Sequence, residues 1–167
     1  MIILYQGAQQ KSRNIFTKSN YCPWDWRLEC DTAYKVFLKP KIDEALQHSS
    51  SGKVDIVAHS MGGLVVRAYI QSDDYENDVR KVAFVGTPHL GSCNPYYIWE
   101  GGNPKGVDDI TDSGWKSILN PYSNTLERLW YEYDMGPYSN LRHAAIRDFV
   151  RAVSPSLRQL MYTEEFL

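Results

Sequence analysis

Several things are scarce in this sequence, and each shortage removes a class of function. Cysteine occurs three times in 167 residues, at Cys22, Cys30 and Cys93. That is too few, and too irregular, for a disulfide framework or a tetrahedral zinc site. Cys22 and Cys30 could bridge in an oxidising compartment, but free thiols are the default. Charge of one sign is not in excess: 18 Lys and Arg stand against 20 Asp and Glu, a net −2. A nucleic-acid binder driven by bulk positive charge is therefore excluded. No apolar run approaches the roughly 18 residues of a membrane span, and a basic-then-apolar leader is not expected. Repeats, low-complexity tracts and heptads are missing too. Nothing in the composition points to a compartment.

What is present is a single domain's worth of chain with 43% apolar residues, enough to bury a core. Ile2-Ile3-Leu4-Tyr5, closed by Gly7, predicts a short buried strand, and residues 15–23 predict a second ending at Pro23. Leu38, Ile42, Ala45 and Leu46 recur at helical spacing between Asp31 and Gln47. Pro40 must either kink that helix or open a second one, and Ser49-Ser50-Ser51-Gly52 stops it. Residues 53–58 then read as a strand, Leu64, Val65, Ala68 and Tyr69 as one face of a helix, and residues 79–86 as a continuous apolar strand. Strand, helix, strand in this compass is a parallel crossover, and continuous apolar strands suit a sheet covered on both faces. The fold class is α/β. After Thr87 only helical patches follow, at residues 115–119, 125–133, 141–153 and 156–161, between turn signals such as Gly101-Gly102 and Asn120-Pro121. The expected division is a core over 1–92 and a helical cap or lid over 93–167.

Between the clearest strand and the clearest helix stands Ala58-His59-Ser60-Met61-Gly62-Gly63. This is the small-x-Ser-x-small pattern of a nucleophile elbow, with Ala where Gly is usual. The turn is so tight that the serine takes a strained backbone conformation, and residues two before and two after it must be small. The strain lifts the Ser60 hydroxyl out of the strand edge and sets it at a helix N-terminus, where negative charge is favoured. The Met61 N–H would then face the oxyanion of a tetrahedral intermediate. The bare pattern arises by chance in roughly one chain of this length in ten; its placement after an apolar strand and before an amphipathic helix is what makes it informative.

Ala-His-Ser-Met-Gly-Gly followed by Leu-Val-Val-Arg resembles the elbow of lipase-type α/β-hydrolases. Phe84-Val85-Gly86-Thr87-Pro88-His89-Leu90-Gly91-Ser92 resembles the strand and loop that come next in that group. Pro23-Trp24-Asp25-Trp26-Arg27 and Pro155-Ser156-Leu157-Arg158-Gln159-Leu160 are similar to segments of its lecithin–cholesterol-acyltransferase-like branch. The resemblance implies a partial α/β-hydrolase fold: a parallel sheet with the strand–elbow–helix unit and a C-terminal helical lid. It also implies a lipase- or esterase-type serine hydrolase acting on lipid acyl esters through an acyl-enzyme on Ser60. The variants are an O-acyltransferase of the same fold and a non-catalytic module that binds an acyl compound or partner. Thr87 and His89 would line the site. The partners implied are a lipid or acyl-ester substrate and a transient contact of the lid with a membrane or lipid surface; no nucleic acid, metal or cofactor is implied.

A serine hydrolase of this fold also needs an acid and then a histidine after the serine. The four histidines are His48, His59, His89 and His143. His48 reads as a solvated helix end, and His59, next to Ser60, as site wall or packing. His143 alone lies far enough downstream, with Asp108, Asp109 or Asp112 before it, and of these pairs Asp112 with His143 is the one taken forward. Their surroundings read as loop and helix rather than strand ends. The expectation is therefore a partial domain, or a decayed relative, whose acid and histidine come after the lid. Trp24, Trp26, Trp99, Trp115 and Trp130 suit packing more than an acyl pocket, and Arg142, Arg147 and Arg151 a solvated helix face.

Overall fold

The structure is a computed structural model that describes residues 1–6, 19–92, 94–102 and 142–161. The chain divides into two compact units, Met1–His89 and Leu90–Leu167.

The first unit is built on a four-stranded sheet in the order β2-β1-β3-β4. Its strands are β1 (Ile2–Gln6), β2 (Ser19–Cys22), β3 (Val54–His59) and β4 (Val79–Val85). The two strongest sequence signals became neighbours: β3 and β4 are parallel, with Ile56 opposite Val82 and Ala58 opposite Phe84. β1 runs antiparallel to both β2 and β3. The sheet is therefore mixed, which corrects the expectation of a parallel one. A parallel neighbour needs a crossover of about a dozen residues or more. The twelve positions between β1 and β2 leave no room for one that includes a helix and its loops. Since β1 opposes both of its neighbours, β2, β3 and β4 all run the same way and only β1 is reversed.

One face of this sheet is the core. Ile2, Leu4, Val54, Ile56 and Ala58 are fully buried; the registers Ile2–Ala58 and Leu4–Ile56 put them side by side. Against them pack α2 (Lys39–Leu46) and α3 (Gly62–Gln71), contributing Ile42, Ala45, Leu64, Val65, Val66 and Tyr69. Their partners on the other side of each strand, Ile3, Tyr5 and Val57, are half-buried. Coverage of both faces fails most clearly at β4, where Phe84 stays 42% and Val85 49% exposed. The physical reason is position: among the described residues β4 is an edge strand, paired on one side, and a continuous apolar run does not say whether a strand is central or peripheral.

The Pro40 alternative resolved without a break. α1 (Cys30–Ala33) runs into a π-helical turn over Tyr34–Leu38 and then into α2, with Pro40 in the first turn of α2. Proline has no N–H to return to the carbonyl four residues back, and its ring collides with that group. Widening the preceding turn to an i→i+5 pattern removes both problems, and a π-turn is a recognised way to carry such a defect inside a helix.

At the opposite end of the sheet, tyrosines tie the helices to the β4 entrance. The Tyr69 hydroxyl donates to Asp78 Oδ2 at 2.7 Å, and the Tyr34 hydroxyl to Asp74 at 2.8 Å. Tyr69 is held between the rings of Tyr34 and Tyr75, at 5.7 and 5.5 Å.

In the second unit the described elements are α4 (Asn94–Trp99), α5 (Arg142–Val153) and α6 (Ser156–Gln159). Ile98, Ile146, Val150, Leu157 and Leu160 form their shared apolar contact. The Arg151 guanidinium donates to the Trp99 carbonyl at 3.1 Å and to Glu100 at 2.9 Å, and lies 5.5 Å from the Trp99 ring centre. So Arg151 is a tether between α4 and α5 rather than a member of a bare solvated face. The helices expected at 141–153 and 156–161 appear with slightly shorter bounds, whereas α4 was not foreseen. Those expected at 115–119 and 125–133 lie outside the described residues.

Candidate functional site

Ser60 stands at the one-residue step between β3 and the Met61 cap of α3, with φ at +55°. A left-handed backbone costs a residue with a Cβ about 1–2 kcal/mol. The other described non-glycine residue with positive φ is Asn77, and asparagine is one of the few side chains that tolerate it. Serine is not, so the strain at Ser60 must be held by its surroundings. Three backbone hydrogen bonds do this: His59 N–H donates to the Met1 carbonyl at 2.9 Å, Ser60 N–H to the Val85 carbonyl at 2.9 Å, and Gly63 N–H to the Ser60 carbonyl at 3.0 Å. β1 and β4 thus grip the junction from both sides.

The small residues around Ser60 are needed where they stand. Ala58 is fully buried. A Cβ on Gly62 would lie 2.8 Å from the Met1 carbonyl oxygen and 2.9 Å from Ile2 Cγ1; one on Gly63 would lie 2.0 Å from Thr87 Oγ1. The side chain of Ser60 itself is exposed, and among the described residues its hydroxyl has no hydrogen-bond partner. The backbone N–H groups of Met61 and Gly62 likewise have none among the described residues. They belong to the first turn of a ten-residue helix, where free donors and the helix dipole favour negative charge.

The segment after β4 closes on the same junction. Thr87 lies against Gly63, its Oγ1 buried and without a partner among the described residues. His89 N–H turns back to the Thr87 carbonyl at 2.9 Å. Arg67 Nη1, on α3, donates to the His89 carbonyl at 3.0 Å and sits 3.3 Å from His89 Nδ1. The His89 ring packs edge-on to Phe84 with centres 4.8 Å apart. Of the two residues expected to line the site, Thr87 therefore stands against Gly63, and His89 against Arg67 and Phe84.

The remaining candidates are placed as follows. His59 is exposed, which removes the packing alternative, and its carbonyl receives the Met1 ammonium at 3.4 Å. His48 is exposed at the end of α2, as expected. His143 falls in α5, in the other unit, and its side chain is outside what is described. Asp108, Asp109 and Asp112 lie outside the described residues. Arg67 carries no expected role in the sequence pattern; it is a half-buried cation directly after Leu64, Val65 and Val66, all buried.

Two further groupings carry charge or sulfur. Among the described residues, the carboxylates with spacing suited to a cation are Asp43, Glu76 and Asp78. The Lys39 ammonium already stands among them, paired with Asp43, 3.0 Å from Glu76 and 4.0 Å from Asp78. Cys22 and Cys30 are buried thiols, and burial pushes both up to about 11. They are protonated at neutral pH and poor nucleophiles.

A strained, exposed serine thus stands between a strand and a helix of an α/β unit, beside N–H donors that have no partner among the described residues. The particular family follows from comparison. Residues 10–135, well over half the chain, match the family described as Lecithin:cholesterol acyltransferase, and the chain belongs to that family. Membership implies the α/β-hydrolase fold and places the protein among lipid-modifying acyltransferases and esterases. Neither a curated protein nor a solved structure matches it.

Proposed function

We propose that the chain is a serine-dependent lipid acyl-ester hydrolase, with Ser60 as nucleophile. The Ser60 hydroxyl oxygen attacks the carbonyl carbon of the ester while its proton passes to a base. The carbonyl oxygen becomes an oxyanion held by the Met61 N–H. Collapse expels the alcohol, which takes up the proton, and leaves an acyl group on Ser60. Water then cleaves that ester bond and regenerates the hydroxyl. A lipid alcohol in place of water gives the acyltransferase outcome with the same first half. The base and the acid that orients it come after the lid in this reading; His143 with Asp112 is the alternative within the given sequence whose order fits. The helical second unit acts in this reading as the lid, through which a lipid surface is met.

The observation that supports this reading best is the positive φ of Ser60. A strained non-glycine residue is retained where strain serves a purpose, and a glycine at 60 would relieve it. A non-catalytic acyl-binding module is the second reading, favoured by the absence of a hydrogen-bonded base on the Ser60 hydroxyl among the described residues. A fluorophosphonate probe separates the two. The hydrolase predicts covalent labelling that maps to residue 60 and disappears in Ser60→Ala. A wild-type chain that stays unlabelled, or labels equally in the variant, refutes the nucleophile and leaves the binding module.

A further inference from the structure

We infer that His89 is a specificity-determining residue of the Ser60 site, set by Arg67 as the Nε2–H tautomer to donate one hydrogen bond to an oxygen of the ester substrate. The inference rests on the reading of Ser60 as nucleophile and adds a residue, a tautomer and a role to it.

The Arg67 guanidinium carries five N–H donors and no acceptor. Its Nη1 lies 3.3 Å from His89 Nδ1, a contact that is favourable only if Nδ1 presents its lone pair. The imidazole proton then sits on Nε2. The same Nη1 donates to the His89 carbonyl at 3.0 Å, so backbone and ring are held by one planar group. A short turn, His89 N–H to the Thr87 carbonyl at 2.9 Å, and the edge-on ring of Phe84 at 4.8 Å remove the remaining freedom. Every polar group of His89 is now assigned except Nε2–H, which has no partner among the described residues and belongs to a side chain that is only half-buried.

Position supplies the role. Phe84, which carries the His89 ring, is opposite Ala58, two residues before Ser60. Val85 accepts the Ser60 N–H, and Thr87 abuts Gly63, three residues after it. The stretch from Phe84 to Thr87 therefore borders the elbow, and His89 follows it two residues on, held by Arg67 of the same helix. An unclaimed donor on a fixed ring, against the exposed apolar surface of Phe84, is what an ester needs: hydrocarbon contact for its chain and one hydrogen bond for an oxygen. Arg67 acts only through His89 and is a positioning residue.

Two substitutions split the ring into its halves. Asparagine at 89 keeps a polar atom where Nδ1 was and loses the outer donor; glutamine reaches to Nε2 and keeps an N–H there. Ser60 acylation by p-nitrophenyl butyrate is expected to slow about tenfold in His89→Asn, one neutral hydrogen bond's worth, and to stay near wild type in His89→Gln. Labelling by a small fluorophosphonate, which lacks the ester alcohol, reports separately whether Ser60 is competent. Nitrogen-15 spectra of the full chain read the tautomer with no turnover: a protonated Nε2 and a bare Nδ1 in the wild type, and a tautomer mixture in Arg67→Met. A protonated Nδ1 overturns the inference whatever the activity. So does equal acylation of His89→Asn and His89→Gln while fluorophosphonate labelling is normal. A wild type that takes neither reagent defeats the nucleophile reading instead, and the tautomer still decides the Arg67 contact.

Discussion

Replacing Gly63 by alanine tests the close approach of α3 to the segment after β4. Two terms oppose each other. In an α-helix alanine is favoured over glycine by about 1 kcal/mol, and Gly63 has no positive φ to forbid it. On that ground alone the variant would be more stable. Against it, the new Cβ would lie 2.0 Å from Thr87 Oγ1, 2.5 Å from Cγ2 and 2.8 Å from Cβ, where carbon contacts want roughly 3.5–4.0 Å. Rotation about χ1 exchanges Oγ1 and Cγ2 but leaves the Thr87 Cβ in place, so helix and loop must separate. Overpacking of this kind costs about 1–3 kcal/mol, occasionally more. The net expectation is a loss of up to about 2 kcal/mol, read as a lower urea midpoint with unchanged slope. Thr87→Ala in the same background removes two of the three colliding atoms and a buried hydroxyl that has no partner among the described residues. It should restore at least half of the loss, a coupling of about 1 kcal/mol in a double-mutant cycle. A Gly63→Ala chain as stable as the parent, or more so, would refute the contact and the account of why glycine stands there.

Four other outcomes follow from the same geometry. Ser60→Gly should be more stable than Ser60→Ala by up to about 1 kcal/mol, since glycine accepts a positive φ without penalty; equal urea midpoints would remove the strain. Tyr69→Phe withdraws a hydroxyl from Asp78, whose Oδ1 is already buried without a partner among the described residues, and should cost about 1–3 kcal/mol in thermal or urea unfolding. Iodoacetamide at neutral pH should spare Cys22 and Cys30 in the folded chain and modify both after unfolding, as peptide mass spectra would show. Because their folded values are raised to about 11, the stability they lend is complete below the ordinary thiol range and is lost as pH climbs from there towards 11. Hydrogen bonds from Arg80 hold Asp55 below its usual range. That contribution is full above the unfolded value of about 3.9 and lost as pH falls beneath it, so Asp55→Asn should flatten the acid limb of the stability profile.

The legible part of the fold was the part written in local pattern. The apolar run into Ala58, the small residues around Ser60 and the helical spacing of Leu64, Val65, Ala68 and Tyr69 all speak of neighbours a few residues away. They located β3, α3 and β4 nearly to the residue. The direction of β1 was not legible, because Ile2-Ile3-Leu4-Tyr5 reads identically whichever way its partners run. Nor was the exposure of Phe84 and Val85, since apolarity does not record whether a strand is central or at an edge. Pro40 announced a disturbance but not its form; widening one turn was cheaper than ending the helix. Of the site, Ser60 and its glycines were legible through sterics, and Thr87 and His89 through resemblance alone. The Arg67–His89 contact joins residues 22 apart in sequence, and only folding brings them together.

The placement of Met1 has a practical side. Its backbone nitrogen is 3.4 Å from the His59 carbonyl oxygen, so any chain or fluorophore attached ahead of it begins its path one residue from Ser60 and can screen that serine from bulky reagents. Pulling at Met1, in a tethered or immobilised format, loads a strand whose loss would part β2 from β3 and split the sheet. Handles for capture or force measurement therefore belong elsewhere on the surface, on the exposed turn at Ser50-Ser51-Gly52 for example.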